Sequence, residues 1–424
     1  MILALRVRKY QFNMYPLVSS VVAVFLAIAM PALTGFAAEG PRARDLGIPF
    51  DGQPGPLNAI TDVGGVEVGH ITLFEGNGAL SVGKGPVRTG VTVIHPRGKD
   101  SIEGVFAGWF TLNASGEMTG TTWLEERGLL EGPIAITNTH SVGVVRDAAV
   151  SWMVQKGWEA DWHAPVVAET YDGALNDING FHVTRDHAIE AMSNATSGPV
   201  VEGAVGGGTG MVCNGFKGGI GTASREIDVG GESYIVGVLV QCNYNWDGED
   251  LRIGNKPVSH LLPVGEHCFT DSAIERHVDW YPYCDESSAS ASTVSRRTRD
   301  GSIIVVVATD APLLPHQLAR VAKRPSLALG RLGAVSTAGS GDIFVAVSTA
   351  NKGRIDESNL SEVTIYPNYE LTTVFKATIQ ATEEAIVNAM VRADTVVGAS
   401  GFRVKELPED QIRALFGAGP EERD

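Results

Sequence analysis

The sequence has no excess of positive charge: 33 Lys and Arg stand against 49 Asp and Glu, a formal net charge of −16. A surface that neutralises phosphates needs the opposite balance, so nucleic acid is not an expected partner. There is no C-x-x-C pair and no histidine-rich cluster, which removes the usual zinc signatures although ten histidines are present. The glycine-dense run Gly206-Gly207-Gly208-Thr209-Gly210, continued by Gly215, Gly218, Gly219 and Gly221, lacks the Lys-Ser/Thr of a phosphate loop and does not open a helix in G-x-G-x-x-G spacing. It reads as tight turns and close backbone approach. Beyond the first forty residues no stretch is apolar and long enough to span a bilayer.

What is present begins with an export layout. Arg6, Arg8 and Lys9 precede the apolar run 21–30, then Pro31 and the small-residue stretch Gly35-Phe36-Ala37-Ala38. This is the three-part form of a secretory signal, with cleavage expected after Ala37, so residues 1–37 stand apart from the fold. A retained anchor would need a span nearer twenty residues. Export implies an oxidising compartment, periplasmic or extracellular, in which the four cysteines can pair. Cys268 and Cys284 flank a polar segment without helix or strand period; a bridge there would close a loop of about 15 residues, worth roughly 3 kcal/mol. Cys213 and Cys242 end apolar runs and read equally well as small buried residues.

With 44% apolar residues the chain can bury a large core. From Asp45 onward short apolar strands alternate with amphipathic helices, the order of a layered α/β protein. Strands are expected at 66–73, 91–95, 133–137, 165–168, 234–241 and 343–348. Helices are expected from a Ser141 cap to Gln155, near 185–194, around 316–332 and over 370–392. Asn243 should fall just past its strand, and Glu169 and Tyr171 in a loop.

The segment 248–301 is polar and cysteine-flanked, and it ends in serine-rich and arginine-rich stretches that read as an exposed linker or flap. Immediately after it Ser302-Ile303-Ile304-Val305-Val306-Val307-Ala308 is apolar throughout, the mark of a strand buried on both faces. A serine at the head of such a strand is unusual. It is either a turn residue making a local hydrogen bond or a nucleophile. Glycine at 301 removes bulk beside the preceding carbonyl and permits strained backbone angles. Were the Ser302 hydroxyl to attack that carbonyl, the bond would break and free an α-amine of reference pKa about 7.7–8.0, able to take the proton of its own hydroxyl.

The runs Thr139-His140-Ser141-Val142-Gly143, Glu169-Thr170-Tyr171-Asp172-Gly173, Asn176-Asp177-Ile178-Asn179-Gly180, Gly206-Gly207-Gly208-Thr209-Gly210, Gly301-Ser302-Ile303-Ile304-Val305 and Gly339-Ser340-Gly341-Asp342 resemble, in order, those of the L-aminopeptidase/D-esterase and β-peptidyl aminopeptidase family. The resemblance extends from about residue 45 to 398. It implies a four-layer αββα sandwich of the N-terminal-nucleophile hydrolase kind, with self-cleavage into a larger chain (38–301) and a smaller one (302–424) that together form one catalytic domain. It further implies a homo-oligomer of such pairs and release of N-terminal residues from short peptides, amides or esters, without metal or organic cofactor.

By position, the resemblance makes Ser302 the nucleophile and Ser340 with Asp342 the pair that orients and polarises it. Asn243 becomes a donor to the oxyanion, Tyr171 a hydroxyl near the reacting centre, and Glu169 the carboxylate that meets the substrate ammonium. Position 342 is Asp where some members carry Glu, and the 268–284 flap is more elaborate than the family leads one to expect. The rival readings are an ornithine-acetyltransferase-type enzyme, for which a threonine nucleophile is expected, and a secreted binding scaffold without activity.

Overall fold

The computed structural model describes residues 40–158, 160–285, 300–354 and 359–417. The export segment and the serine-rich and arginine-rich part of the linker lie outside these residues. Two sheets carry the architecture. The first contains β1 (Glu67–Glu75), β2 (Val87–His95), β5 (Ile134–Asn138) and β6 (Val166–Thr170), in that spatial order, with β5 and β6 parallel. The second has six strands. They are β3 (Val105–Ala114), β4 (Leu129–Leu130), β7 (Gly219–Val229), β8 (Glu232–Asn243), β9 (Ser302–Thr309) and β10 (Gly341–Ser348), in the order β4-β3-β10-β9-β8-β7. Only β9 and β10 run parallel there.

Strand alternation sorts the apolar side chains into layers. Ile304, Val306 and Ala308 of β9, with Ile343, Val345 and Val347 of β10, meet Ile94, Ile134, Ile136, Val166 and Ala168 of the first sheet. The intervening residues Ile303, Val305, Val307, Phe344 and Ala346 face the opposite way. That outer face is covered by α4 (Pro315–Val321), α5 (Pro325–Arg331) and α6 (Leu371–Val391), while α2 (Val142–Lys156) and α3 (Arg185–Ser193) cover the first sheet. The result is the expected four-layer αββα sandwich, and every residue of β9 is buried.

Several local expectations shift. Asn243 is the last residue of β8, not a residue beyond it, and Glu169 is the buried residue before the last of β6, which ends at Thr170. Both strands run further because their pairing continues, Asn243 with Ser302 and Thr170 with Asn138. The single helix expected around 316–332 is two, because Pro325 has no N–H to extend a helix and instead starts α5. Ser141 stands at the N-cap of α2 without a side-chain capping bond, since the preceding residues 139–141 form a 3₁₀ turn. Gly157 ends α2 in a left-handed conformation (φ 81°). Cys268 and Cys284 are bridged, with Cα atoms 5.0 Å apart. Cys213 and Cys242, read as small buried residues, are buried and also bridged, at 5.6 Å.

The glycine-dense run does bring backbones together. A Cβ on Gly207 would lie 2.1 Å from Gln241 Oε1 and 2.7 Å from the Ile136 carbonyl of the facing sheet. At Gly221 on β7 it would lie 2.0 Å from the Ala385 carbonyl and 2.6 Å from Ala389 N, so α6 rests directly on the strand backbone. Gly221→Ala forces that helix outward and should destabilise the fold by about 1–3 kcal/mol, read as a lower urea midpoint; an unchanged midpoint would show that the helix yields without cost.

Candidate active site

The site is assembled at the shared end of three adjacent strands. Ser302 pairs with Asn243 on one side and with Gly341 on the other. By alternation with Ile304, the Ser302 side chain turns toward the space between the sheets, into a cavity of about 570 Å³. Gly301, Ser302, Asn243, Glu169 and Tyr171 all line it, with Thr139, Ser115, Gly116, Glu117, Asp300, Gly339, Trp246 and Trp280. Five of the residues singled out from sequence are therefore brought together.

Around the 301–302 bond the contacts are close. The Gly341 N–H lies 3.2 Å from both the Gly301 carbonyl oxygen and Ser302 Oγ, within donating reach of each. A Cβ at 301 would meet the Asn243 carbonyl at 2.2 Å and Tyr244 Cα at 2.7 Å. Glycine is thus required there for space. Its φ is not among the positive ones, so the expected freedom to adopt strained angles is not what the position uses.

Asn243 is held at both ends of its amide. Val212 N–H donates to Oδ1 at 2.8 Å, and Nδ2 donates to the Tyr171 carbonyl at 2.9 Å. A carboxamide has two N–H bonds, so one remains for the cavity. Tyr171 lies with its ring against Gly173, where a Cβ would sit 2.4 Å from the hydroxyl. Burial, reinforced by neighbouring Asp172, raises the phenol pKa, so the hydroxyl stays protonated and able to donate.

Glu169 is 3% exposed. Its Oε1 accepts the Glu117 N–H at 2.9 Å and Oε2 accepts the Thr139 hydroxyl at 2.5 Å. Burial raises its pKa, opposed by these two bonds. No Lys, Arg or His among the described residues forms an ion pair with it, so a buried carboxylate on the cavity wall is left facing whatever enters.

Ser340 and Asp342 do not line this cavity, and Gly301 is the residue shared between it and theirs. By alternation with Phe344 and Ala346, Asp342 turns to the helix side of the sheet, where both residues line a separate small cavity of about 60 Å³. Ser340 Oγ is 2.9 Å from Asp342 Oδ2 and 3.0 Å from the Thr337 carbonyl, and it accepts from Asn113 Nδ2 at 3.0 Å. Burial raises the Asp342 pKa, while hydrogen bonds from Ser336, Ser340 and the Ile303 N–H oppose the rise. Asp342 thus meets the Ser302–Ile303 peptide through the Ile303 N–H, and both residues flank Gly341, whose N–H faces Ser302 Oγ. Sequence reasoning missed Asn113, Trp246 and Trp280 as parts of the site; Thr139 and Gly341 stood in recognised runs but without a role. No group of His, Cys, Asp and Glu among the described residues has the arrangement of a metal site.

An αββα sandwich with a serine at the head of a central strand, opening into a cavity with a buried carboxylate, defines a hydrolase of the N-terminal-nucleophile fold class. Residues 58–404 match the model of peptidase family S58. The chain belongs to that family and is an aminopeptidase. It is 55% identical over 394 residues to the β-peptidyl aminopeptidase BapA of Sphingosinicella microcystinivorans, covering 92% of this chain and 95% of that protein. Among solved structures it resembles the L-aminopeptidase D-Ala-esterase/amidase of Ochrobactrum anthropi (43% identity, TM-score 0.77, 89% of this chain and 98% of that one). It likewise resembles a β-aminopeptidase from a Burkholderia species (44%, 0.74, 89% and 99%).

The loop leading from Tyr171 is held by Asp172, whose buried carboxylate accepts from Asn138 Nδ2 at 3.0 Å and Asn176 Nδ2 at 3.1 Å. Burial still raises its pKa to about 6. The folded state therefore binds this proton more tightly than the unfolded chain, and its contribution to stability falls as pH rises from about 4 to 6, by roughly 2–3 kcal/mol. Asp172→Asn cannot titrate. Urea midpoints measured from pH 4 to 7 should fall more steeply in wild type than in the variant, whatever the variant's absolute stability; parallel curves would place the Asp172 pKa near its ordinary value.

Proposed function

We propose that this protein is an exported aminopeptidase that cleaves its own Gly301–Ser302 bond and then works through an acyl-enzyme on Ser302. The observation that carries the reading is the arrangement at that bond: the hydroxyl beside the carbonyl it would attack, one backbone N–H in reach of both, and the cavity in front. Attack of Oγ on the Gly301 carbonyl carbon forms a C–O bond. The C–N bond then breaks as the nitrogen takes up the proton that Oγ gave up, which frees the Ser302 α-amine and leaves an ester of Gly301 on Oγ. Water hydrolyses the ester, returning the Ser302 hydroxyl and releasing the Gly301 carboxylate.

In turnover the amine accepts the hydroxyl proton while Oγ attacks the substrate carbonyl. The free N–H of Asn243 donates to the oxyanion and Tyr171 supplies a second hydroxyl near the reacting centre. Expulsion of the leaving amine or alcohol, which takes the proton back, leaves the acyl-enzyme for water. Ser340 and Asp342 hold the Gly341 peptide that faces Ser302. Glu169 receives the ammonium of the substrate N-terminus, an interaction that restores to a buried carboxylate the countercharge it lacks.

Substrates are short peptides, amino-acid amides or esters with a free N-terminus. β-Peptidyl substrates are included on the strength of the similarity to BapA. The basic, apolar and small-residue layout of residues 1–37 supports export to the periplasm or beyond. A homo-oligomer of cleaved pairs follows from the family resemblance.

The purified protein should run as two bands on a denaturing gel, the smaller beginning Ser-Ile-Ile-Val-Val by N-terminal sequencing. Ser302→Ala should give one inactive band, and a two-band Ser302→Ala would remove the nucleophile from this position. For the ammonium site, Glu169→Gln keeps the shape and drops the charge. In processed enzyme it should lower kcat/KM for free-amine substrates tenfold to about a hundredfold, and N-acetylated substrates should be poor even for wild type. Because the Glu169 pKa is raised, the increase of wild-type KM on acidification should begin at a pH above the usual glutamate range. Equal hydrolysis of acetylated and free substrates would refute the role of Glu169.

A further inference from the structure

Lys217 has no part in the chemistry above, and its surroundings call for an account. The side chain is fully buried, and no carboxylate forms an ion pair with it among the described residues. Its ammonium instead donates to three backbone carbonyls: Gly218 at 2.6 Å, Met211 at 2.8 Å and Gly208 at 3.3 Å. Burial lowers its pKa to about 7. Three acceptors match the three N–H bonds of the protonated form and favour it.

The local fold delivers the lysine to this place. Val212–Cys213 pairs with Phe216–Lys217 across Asn214 and Gly215. Those two residues have φ of 49° and 78°, as a two-residue hairpin requires. The disulfide from Cys213 to Cys242 ties the hairpin to β8 one residue before Asn243.

The Met211 carbonyl and the Val212 N–H belong to one peptide unit. Lys217 sits on the oxygen of that unit, and its N–H donates to Asn243 Oδ1 at 2.8 Å. A cation on a carbonyl oxygen draws electron density from the peptide and strengthens donation by its N–H, and the same effect passes through the carboxamide of Asn243 to Nδ2. We propose that Lys217 is a positioning residue for the oxyanion donor: through the Met211–Val212 peptide its ammonium orients and polarises the Asn243 amide, making the remaining Nδ2 hydrogen a stronger donor to the tetrahedral intermediate. This rests on the reading of Asn243 as that donor, and the experiment separates the two.

The test is a double-mutant cycle of wild type, Asn243→Ala, Lys217→Met and the double variant. It is read as kcat per mole of cleaved chain, and as the rate of precursor cleavage where that is slow enough to follow. Asn243→Ala alone should lower turnover roughly 100-fold to 1000-fold. Lys217→Met should lower kcat about tenfold with KM within about twofold, yet change the rate less than about twofold once Asn243 is alanine. A residue needed only for folding would slow both backgrounds equally.

If Asn243→Ala retains wild-type turnover, the reading of Asn243 fails and the relay with it. If Asn243→Ala is slow while Lys217→Met is either harmless or equally harmful in both backgrounds, the relay is overturned and Asn243 stands. Should Lys217→Met yield no folded protein, Lys217→Gln takes its place under the same criteria, since its amide still donates to carbonyls but carries no charge.

Discussion

The hydrogen-bond ladder that holds β9 between β8 and β10 governs the rest of the site. Each strand residue is tied to a neighbour on both sides, so the first residue of β9 is located by the same bonds that build the sheet. The antiparallel partner sets Asn243 beside Ser302, and the parallel partner sets Gly341 on the other side. Alternation decides the rest: Ser302 and Asn243 turn inward to the cavity, and Asp342 turns outward to the helices. A one-residue slip would exchange these faces. Both faces of β9 are buried and apolar, so such a slip would carry Ser302 out of the cavity and force both cores to repack.

Around this rigid head the fold gathers charges that water would otherwise stabilise. Glu169, Asp172 and Asp342 all have raised pKa values with burial as the first cause. Asp172 and Glu169 each accept two hydrogen bonds, and neither has an ion-pair partner among the described residues. What separates them is position: Glu169 lines the cavity and Asp172 does not. Lys217 is the cationic counterpart, held by carbonyls rather than by an acid.

Part of the cavity wall comes from the segment between Cys268 and Cys284. Trp280 of this segment lines the cavity and meets Trp246 edge-on with ring centroids 6.3 Å apart. The segment is anchored at its base by the bridge and by pairing of Cys268–Phe269 with Phe402–Arg403. Part of the cavity's aromatic wall thus stands on a loop tethered at its base.

The unbroken apolar run 303–308 makes β9 a strand buried on both faces in any sheet that accepts it, because no other element hides so many consecutive β-branched residues. The change from polar linker to that run marks Gly301–Ser302, and the ordered glycine, serine and carboxylate runs carry the family. What local pattern could not supply is contact across distance. That Asn243 closes its strand and is clasped by Val212 and Tyr171, and that Ser340 and Asp342 meet the backbone on both sides of Ser302, at Gly341 and at Ile303, depends on register between strands far apart in sequence. So does the finding that one lysine among many polar residues lies on the carbonyl behind Asn243. Propensity and periodicity describe what each segment prefers, but long-range pairing decides which atoms meet.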